Sequence, residues 1–184
     1  GAVVRDSIYY SEDKEDMFID IWVYEGQQFF FGDVSFQGNE KFTDEEFLSQ
    51  MDLQKGEPYS EDKFQEAKQK ITELYYNKGH LFAQAAPNEE IVGKDTVNIR
   101  YRINEQSVVR INEIRIEGNS KTHEKVVRRD IKIYPGQKFS QEKIVRSVSD
   151  LMRLNYFQNV KPDVKIIPGS QDEVDLLFDI QEKA

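Results

Sequence analysis

The sequence predicts an α+β protein built from tandem copies of one strand-helix-helix-strand-strand unit. Three observations carry that prediction. The phrase Gly-Asn-x-Lys occurs twice, at Gly38-Asn39 and Gly118-Asn119, and sliding the chain along itself by 80 residues keeps it in match. Glu25 meets Glu105, Gly56 meets Gly136, Ser60 meets Ser140 and Lys63 meets Lys143, with apolar partners at Val34/Ile114, Tyr59/Phe139 and Ile71/Leu151. Within each copy, helix-capping signals follow the first strand and strictly alternating apolar residues end the copy.

The first strand of a unit is expected at Phe31–Phe36, and again at Ile111–Ile116, where apolar and polar residues alternate. Each Gly-Asn pair then forms a turn, with Gly supplying positive φ and Asn tolerating it. Thr43-Asp44-Glu45-Glu46 has the form of a capping box, and Phe42 and Phe47 sit at the staple positions around it. This helix should bury Phe47, Leu48 and Met51 and stop before Gly56. In the second copy His123 stands where the capping Thr would be, and no Glu follows three residues later. Ser60 and Ser140 are expected to cap the second helices, whose apolar faces hold Phe64, Ala67, Ile71, Leu74 and Tyr75, or Ile144, Val148, Leu151 and Leu154.

Extended segments follow at Leu81–Val92 and Val160–Ile167. Pro87 and Pro162 interrupt them, which marks both as sheet edges, since a missing amide is tolerated only where it faces no partner. The returning strands carry Val97, Ile99, Tyr101 and Ile103, or Val174, Leu176, Phe178 and Ile180. Ala2–Tyr10 and Met17–Glu25 look like the same closing hairpin, because Met17, Ile19, Ile21 and Val23 align at 80 with Val97, Ile99, Tyr101 and Ile103. The expected division is therefore residues 1–26 as the end of a preceding unit, then 27–106 and 107–184 as two units. A lone hairpin is marginal in water, so 1–26 should pack on a neighbour, pair with another copy or complete an upstream part. The run Phe29-Phe30-Phe31 is expected to pack between adjacent units.

Composition narrows the function classes. With 184 residues, 38% of them hydrophobic, and 12 Phe and 9 Tyr, the chain can fill one core or two small ones. No run of about 18 apolar residues occurs, so leader or membrane-spanning segments are expected outside these residues. Zero Cys excludes disulfides and thiolate metal sites. Residues 1–109 hold 11 Lys and Arg against 22 Asp and Glu, and residues 110–184 hold 14 against 12, a balance that disfavours a nucleic-acid partner. Gly38 lacks the companions of a phosphate-binding loop, His80 and His123 lack ligand spacing, and no nucleophile-base pattern stands out. No metal, cofactor, small-molecule substrate or catalysis is expected.

The phrases "VSFQGNEKF" and "IRIEGNSKT", "LQKGEPYS" and "IYPGQKFS", "LYYNKGHLFA" and "LNYFQNVKP", and "VNIRYRINE" and "VDLLFDIQE" recur in that order. Together they resemble the POTRA (polypeptide-transport-associated) family across essentially the whole chain. The resemblance implies a mixed three-stranded sheet with the third strand central, covered on one face by two antiparallel helices. Such arrays are similar to the periplasmic arm of BamA-type assembly factors of Gram-negative outer membranes, which precedes a membrane β-barrel in the same full-length chain.

The resemblance further implies a scaffold that receives unfolded outer-membrane proteins and accessory lipoproteins. The physical route would be β-augmentation, in which an extended client pairs with an exposed strand edge. That makes Ala83, Gln84, Ala85, Ala86, Glu89 and Ile91, and in the next unit Val160, Lys161, Val164 and Ile166, the candidate client edges. Pro87, Pro162, Lys161 and Lys165 also suit edges guarded against aggregation. Arg128, Arg129, Arg146 and Arg153 form a candidate basic docking cluster. Gly38, Asn39, Gly56, Gly118, Asn119 and Gly136 are read as structural turns. Competing readings are a TamA-like or organelle translocation channel and a self-associating structural module; a KH-like nucleic-acid binder would need a second Gly after "GNEK".

Overall fold

The computed structural model describes residues 3–11, 13 and 15–183; the expected strand start at Ala2 lies outside them. In chain order the elements are β1 (Val3–Tyr10), β2 (Met17–Tyr24), β3 (Phe30–Gln37), α1 (Asp44–Gln50), α2 (Glu61–Asn77), β4 (Gln84–Val92) and β5 (Thr96–Asn104). They continue with β6 (Arg110–Glu117), α3 (Glu124–Asp130), α4 (Gln141–Arg153), β7 (Phe157–Ile166) and β8 (Glu173–Glu182). Two three-stranded sheets result, ordered β3-β5-β4 and β6-β8-β7. In each, the last strand is central, parallel to the first and antiparallel to the second.

Alternation along the central strands decides which face the helices cover. Val97, Ile99, Tyr101 and Ile103 are buried while Arg100, Arg102 and Asn104 are exposed. The buried set packs with Phe47, Phe64, Ala67, Ile71 and Tyr75 from α1 and α2. The second core joins Val174, Leu176, Phe178 and Ile180 to Val127, Ile144 and Leu151 in the same manner.

The capping box at α1 is complete: the Glu46 amide donates to Thr43 Oγ1 at 3.3 Å, and the Thr43 amide to Glu46 Oε2 at 2.8 Å. Leu48, expected in the core, is 43% exposed, so this short helix buries Phe47, with Met51 buried at its C-cap. Gly56 does not end α1. The helix stops at Gln50, and Gly56 lies in the following turn at φ +86°. In α3 His123 makes no side-chain capping bond, as its residue type implies.

Both parallel pairings carry an irregularity that periodicity hides, between Phe31 and Val34 and between Ile111 and Ile114. At the first, a Cβ on Gly32 would fall 2.0 Å from Asn98 Oδ1, the atom that accepts the Asp33 amide at 2.8 Å. A side chain there would displace that bond.

The phenylalanine run does not bridge units. Phe31 is buried in its own unit's core with its ring 4.9 Å from Tyr59, and Phe29 packs into the same core, because alternation turns both toward the helices. The β1-β2 hairpin pairs in register from Val3↔Tyr24 to Tyr10↔Met17, and every residue of both strands is exposed. It therefore does not pack on the adjoining unit.

Candidate functional site

Each three-stranded sheet has two outer strands, and among the described residues a loop pairs with the outer side of one of them, at its start. The inter-helix loop closes the start of β3: Gly56 donates its amide to Phe31 O at 2.8 Å, Phe31 to Glu57 O at 2.9 Å, and Tyr59 to Phe29 O at 2.8 Å. Gly136, Ile111 and Phe139 repeat the pattern on Ile111 O, Gln137 O and Val109 O. Farther along β6, the Arg128 guanidinium donates to Ile114 O at 3.1 Å. Among the described residues no such loop pairs with the backbone of β4 or β7 beyond their central strands.

Register fixes what those free edges present. Pro87 lies opposite Tyr101 and Pro162 opposite Phe178. A proline nitrogen cannot donate into the ladder, so it faces outward. The two-residue period then turns outward the amides of Ala85, Glu89 and Ile91 in β4, and of Val160, Val164 and Ile166 in β7. Their side chains fall on the helix side, like those of Ile99 and Leu176 opposite. Gln84, Ala86 and Lys161 hold intervening positions with exposed side chains. Ala83 departs from expectation: it precedes β4, is 9% exposed, and spends its amide on His80 O at 3.1 Å. It belongs to the core and not to the edge, because the chain from His80 to Ala83 turns before the strand begins.

The ground between edge and second helix differs between the units. In the first, Tyr59 donates its hydroxyl to Glu89 Oε2 at 2.9 Å and lies 3.3 Å from Glu61 Oε2. Burial first, then the Glu89 carboxylate, pushes the Tyr59 hydroxyl well above its ordinary pKa, so it stays a donor. In the second, Phe139 replaces Tyr59, Val164 takes the register position of Glu89, and an apolar groove lies open between Ile144, Val145, Val148, Pro162 and Val164.

The basic residues do not form one cluster. Arg128 pairs with Glu124 at 2.6 Å and Arg129 with Asp130 at 3.4 Å, both on α3. Arg153 pairs with Asp150 at 3.2 Å, and with Arg146 lines a cleft between α2 and α4 that also holds Glu73 and Glu142. Interleaved carboxylates thus neutralise much of the charge. Among the described residues no group of three His, Asp or Glu side chains is placed to hold a metal ion.

Two contacts that motif reading missed join the units. Asn77 Oδ1 accepts the Glu142 amide at 2.8 Å, and Gly79 O accepts the Val109 amide at 2.7 Å. Around them Tyr76 meets Phe139 edge-on at 6.2 Å, and Leu81 and Phe82 pack on the second core. His80 is buried beside this seam, its Nδ1 3.0 Å from the carbonyls of Glu105 and Gln106. The clue was Gly79 directly after a helix: it sits at φ +95°, and a Cβ there would approach Val108 and Lys138 at 3.1 and 3.2 Å.

The Gly-Asn turns are structural parts of each unit. Gly38 and Gly118 have φ of +89° and +84°, and their asparagines donate to Phe42 O and Thr122 O at 3.0 and 2.9 Å. A carboxylate from the end of the central strand grips each turn. Glu105 Oε1 accepts the amides of Glu40 and Lys41 at 2.7 and 2.8 Å and the Tyr75 hydroxyl at 2.9 Å. Burial works to raise the Glu105 carboxyl, but the Lys41 amide, Tyr75 and the Glu40 amide outweigh it and leave it below its ordinary value. Glu182 accepts the amides of Lys121 and Thr122 at 2.8 and 2.7 Å, and hydrogen bonding led by Thr122 holds it down at about 2.

Fold and edges together define an α+β repeat module in which the inter-helix loop pairs with the start of one outer strand, while the other outer strand has no such loop on it among the described residues. The model of the POTRA family, described as a surface antigen variable number repeat, matches residues 29–106 and 109–183. The chain belongs to the POTRA family. It is 29% identical over 189 residues to the outer membrane protein assembly factor BamA of Nitratidesulfovibrio vulgaris, covering 100% of this chain and 23% of that protein. Against BamA of Neisseria meningitidis it is 28% identical over 187 residues, covering 99% and 23%. The chain thus spans about a quarter of the length of these relatives. A crystal structure of Haemophilus influenzae BamA POTRA3-5 shares its fold, with a TM-score of 0.77 at 19% identity over 98% of this chain and 72% of that one. POTRA domains of BamA proteins lie in the periplasm, attached to the outer-membrane barrel.

Proposed function

We propose that the protein is part of a periplasmic scaffold arm that receives unfolded outer-membrane β-barrel clients by β-augmentation and passes them toward the membrane barrel of its own full-length chain. Accessory lipoproteins of the assembly complex dock on the same arm. The role is one of binding and positioning without catalysis. One observation carries the reading: in both units the inter-helix loop pairs with the first strand, while β4 and β7 keep outward amides free among the described residues. Main-chain pairing supplies affinity that tolerates many client sequences.

The domain division belongs to this reading. Residues 27–106 and 107–184 are two units, and 1–26 is the closing hairpin of a third. Glu25 follows β2 as Glu105 and Glu182 follow or end the central strands whose turns they grip. In that hairpin Met17, Ile19, Ile21 and Val23 share one face, the face that helices cover in the other units.

Hydrogen exchange with and without a β-strand peptide from an outer-membrane barrel tests the proposal. The expected result is slowed exchange at Ala85, Glu89, Ile91, Val160, Val164 or Ile166. Unchanged exchange along both strands overturns it.

A further inference from the structure

We infer that the two free edges select different clients: β7 takes an extended segment with apolar residues at every second position, and β4 rejects such a segment because Tyr59 and Glu89 occupy the place its side chains need. The inference rests on the edge-pairing reading above and concerns what each edge accepts.

A strand added to β7 hydrogen-bonds to the outward amides of Val160, Val164 and Ile166. The period of two then sends alternate side chains of the incoming strand to the helix side of the sheet. There they meet the groove between β7 and α4, where Val145 is 56% exposed beside Val148, Pro162 and Val164. Apolar side chains gain by leaving water at that spot. The opposite side of β7 carries Lys161, Asp163 and Lys165, the last two paired at 2.6 Å, which suits polar residues at the intervening positions. The groove and the hydrogen-bonding edge are continuous, so one strand engages both. The occupant it fits is a two-faced β-strand.

The same addition to β4 meets different chemistry. The positions of Val145 and Val148 are held by Gln65 and Lys68 in the repeat alignment, and that of Val164 by Glu89. The Glu89 carboxylate, bonded to Tyr59, lies where an apolar side chain would settle. Stripping water from that carboxylate without a compensating partner is unfavourable. The β4 edge is left with main-chain pairing and polar side chains.

The test uses the two-unit protein and two nine-residue synthetic peptides, one alternating Val with Thr and one alternating Ser with Thr. Residue-resolved NMR titration reads a dissociation constant at β4 and at β7 separately. The Val-Thr peptide should bind β7 at least about ten-fold tighter than β4, a gap of about 1.4 kcal/mol. Val145→Gln, at an exposed position that does not support the core, should close much of the gap from the β7 side. The pair Tyr59→Phe with Glu89→Val should close it from the β4 side by tightening binding there. Equal affinity of the Val-Thr peptide at both edges, or no response to either set of substitutions, overturns the selection while leaving edge pairing intact. Absence of binding by both peptides at both edges overturns the edge-pairing reading together with the selection built on it.

Discussion

Asn77, the last residue of α2, accepts at its side-chain oxygen the amide of Glu142 in the first turn of α4, 2.8 Å away. One unit thereby supplies a capping bond for the helix of the next, alongside the bond that the Lys143 amide donates to Ser140 Oγ at the N-cap of α4. Asn77→Ala should cost about 1 kcal/mol in the stability of the second unit and widen the range of inter-unit angles. Thermal denaturation and small-angle scattering check the two halves, and a variant with wild-type values of both would show the bond to be idle.

The glycines of the repeat are not interchangeable. A Cβ at Gly118 would stand 1.9 Å from Ile180 O, and one at Gly38 would stand 2.3 Å from Ile103 O, whereas at Gly136 nothing lies within 4 Å. All three have positive φ. Gly118→Ala and Gly38→Ala should each destabilise by at least about 2 kcal/mol. Gly136→Ala should cost only the left-handed backbone term, about 1 kcal/mol. Urea denaturation of the three variants gives the ranking.

Acid should loosen the Gly118-Asn119 turn. The folded Glu182 carboxyl lies at about 2, below its ordinary 4.5, so its contribution to stability is present above about 4.5 and is lost as pH falls through about 2. Glu105 is shifted in the same direction. Glu182→Gln should therefore lower the melting temperature at neutral pH, and the difference from the parent protein should shrink as pH drops from 4.5 toward 2. A difference that holds constant across that range contradicts the carboxylate's role.

Tyr101 is fully buried, and its hydroxyl has no hydrogen-bond partner among the described residues. Burial pushes that hydroxyl up to about 12, so it is neutral and pays desolvation without return. The second unit places Phe178 at the same register position, opposite a proline. Tyr101→Phe should raise stability by about 1 kcal/mol, seen as a higher denaturant midpoint at unchanged slope.

Local chemistry made the repeat unit legible in the sequence. Thr43 and Glu46 announce α1, and alternation from Val97 to Ile103 announces a strand with one covered face, because both signals act over a few residues. What stayed hidden depends on partners far along the chain. Gly56 reads as a helix end but serves to pair with Phe31, and Leu48 reads as core but faces water, since neither fate follows from neighbouring residues. The prolines revealed β4 and β7 as edges. That β3 and β6 are closed by the inter-helix loops could not be read, because bonds such as Tyr59 to Phe29 carry no residue preference. The four arginines looked like one patch because sequence spacing does not record that α3 pairs Arg128 and Arg129 with Glu124 and Asp130, while Arg146 and Arg153 line a separate cleft on α4.

In each unit the first strand pairs with the last, so Phe31 finds Val97, and Ile111 finds Val174, only after everything between has been made. The hairpins β4-β5 and β7-β8 are local and can form early, whereas β3 and β6 must wait through the synthesis of two helices and a hairpin. While the chain is being made, the leading strand of each of these two units is therefore an unpaired segment with its apolar residues uncovered. A protein of this design passes, while being born, through the same exposed condition as the strands it is proposed to receive.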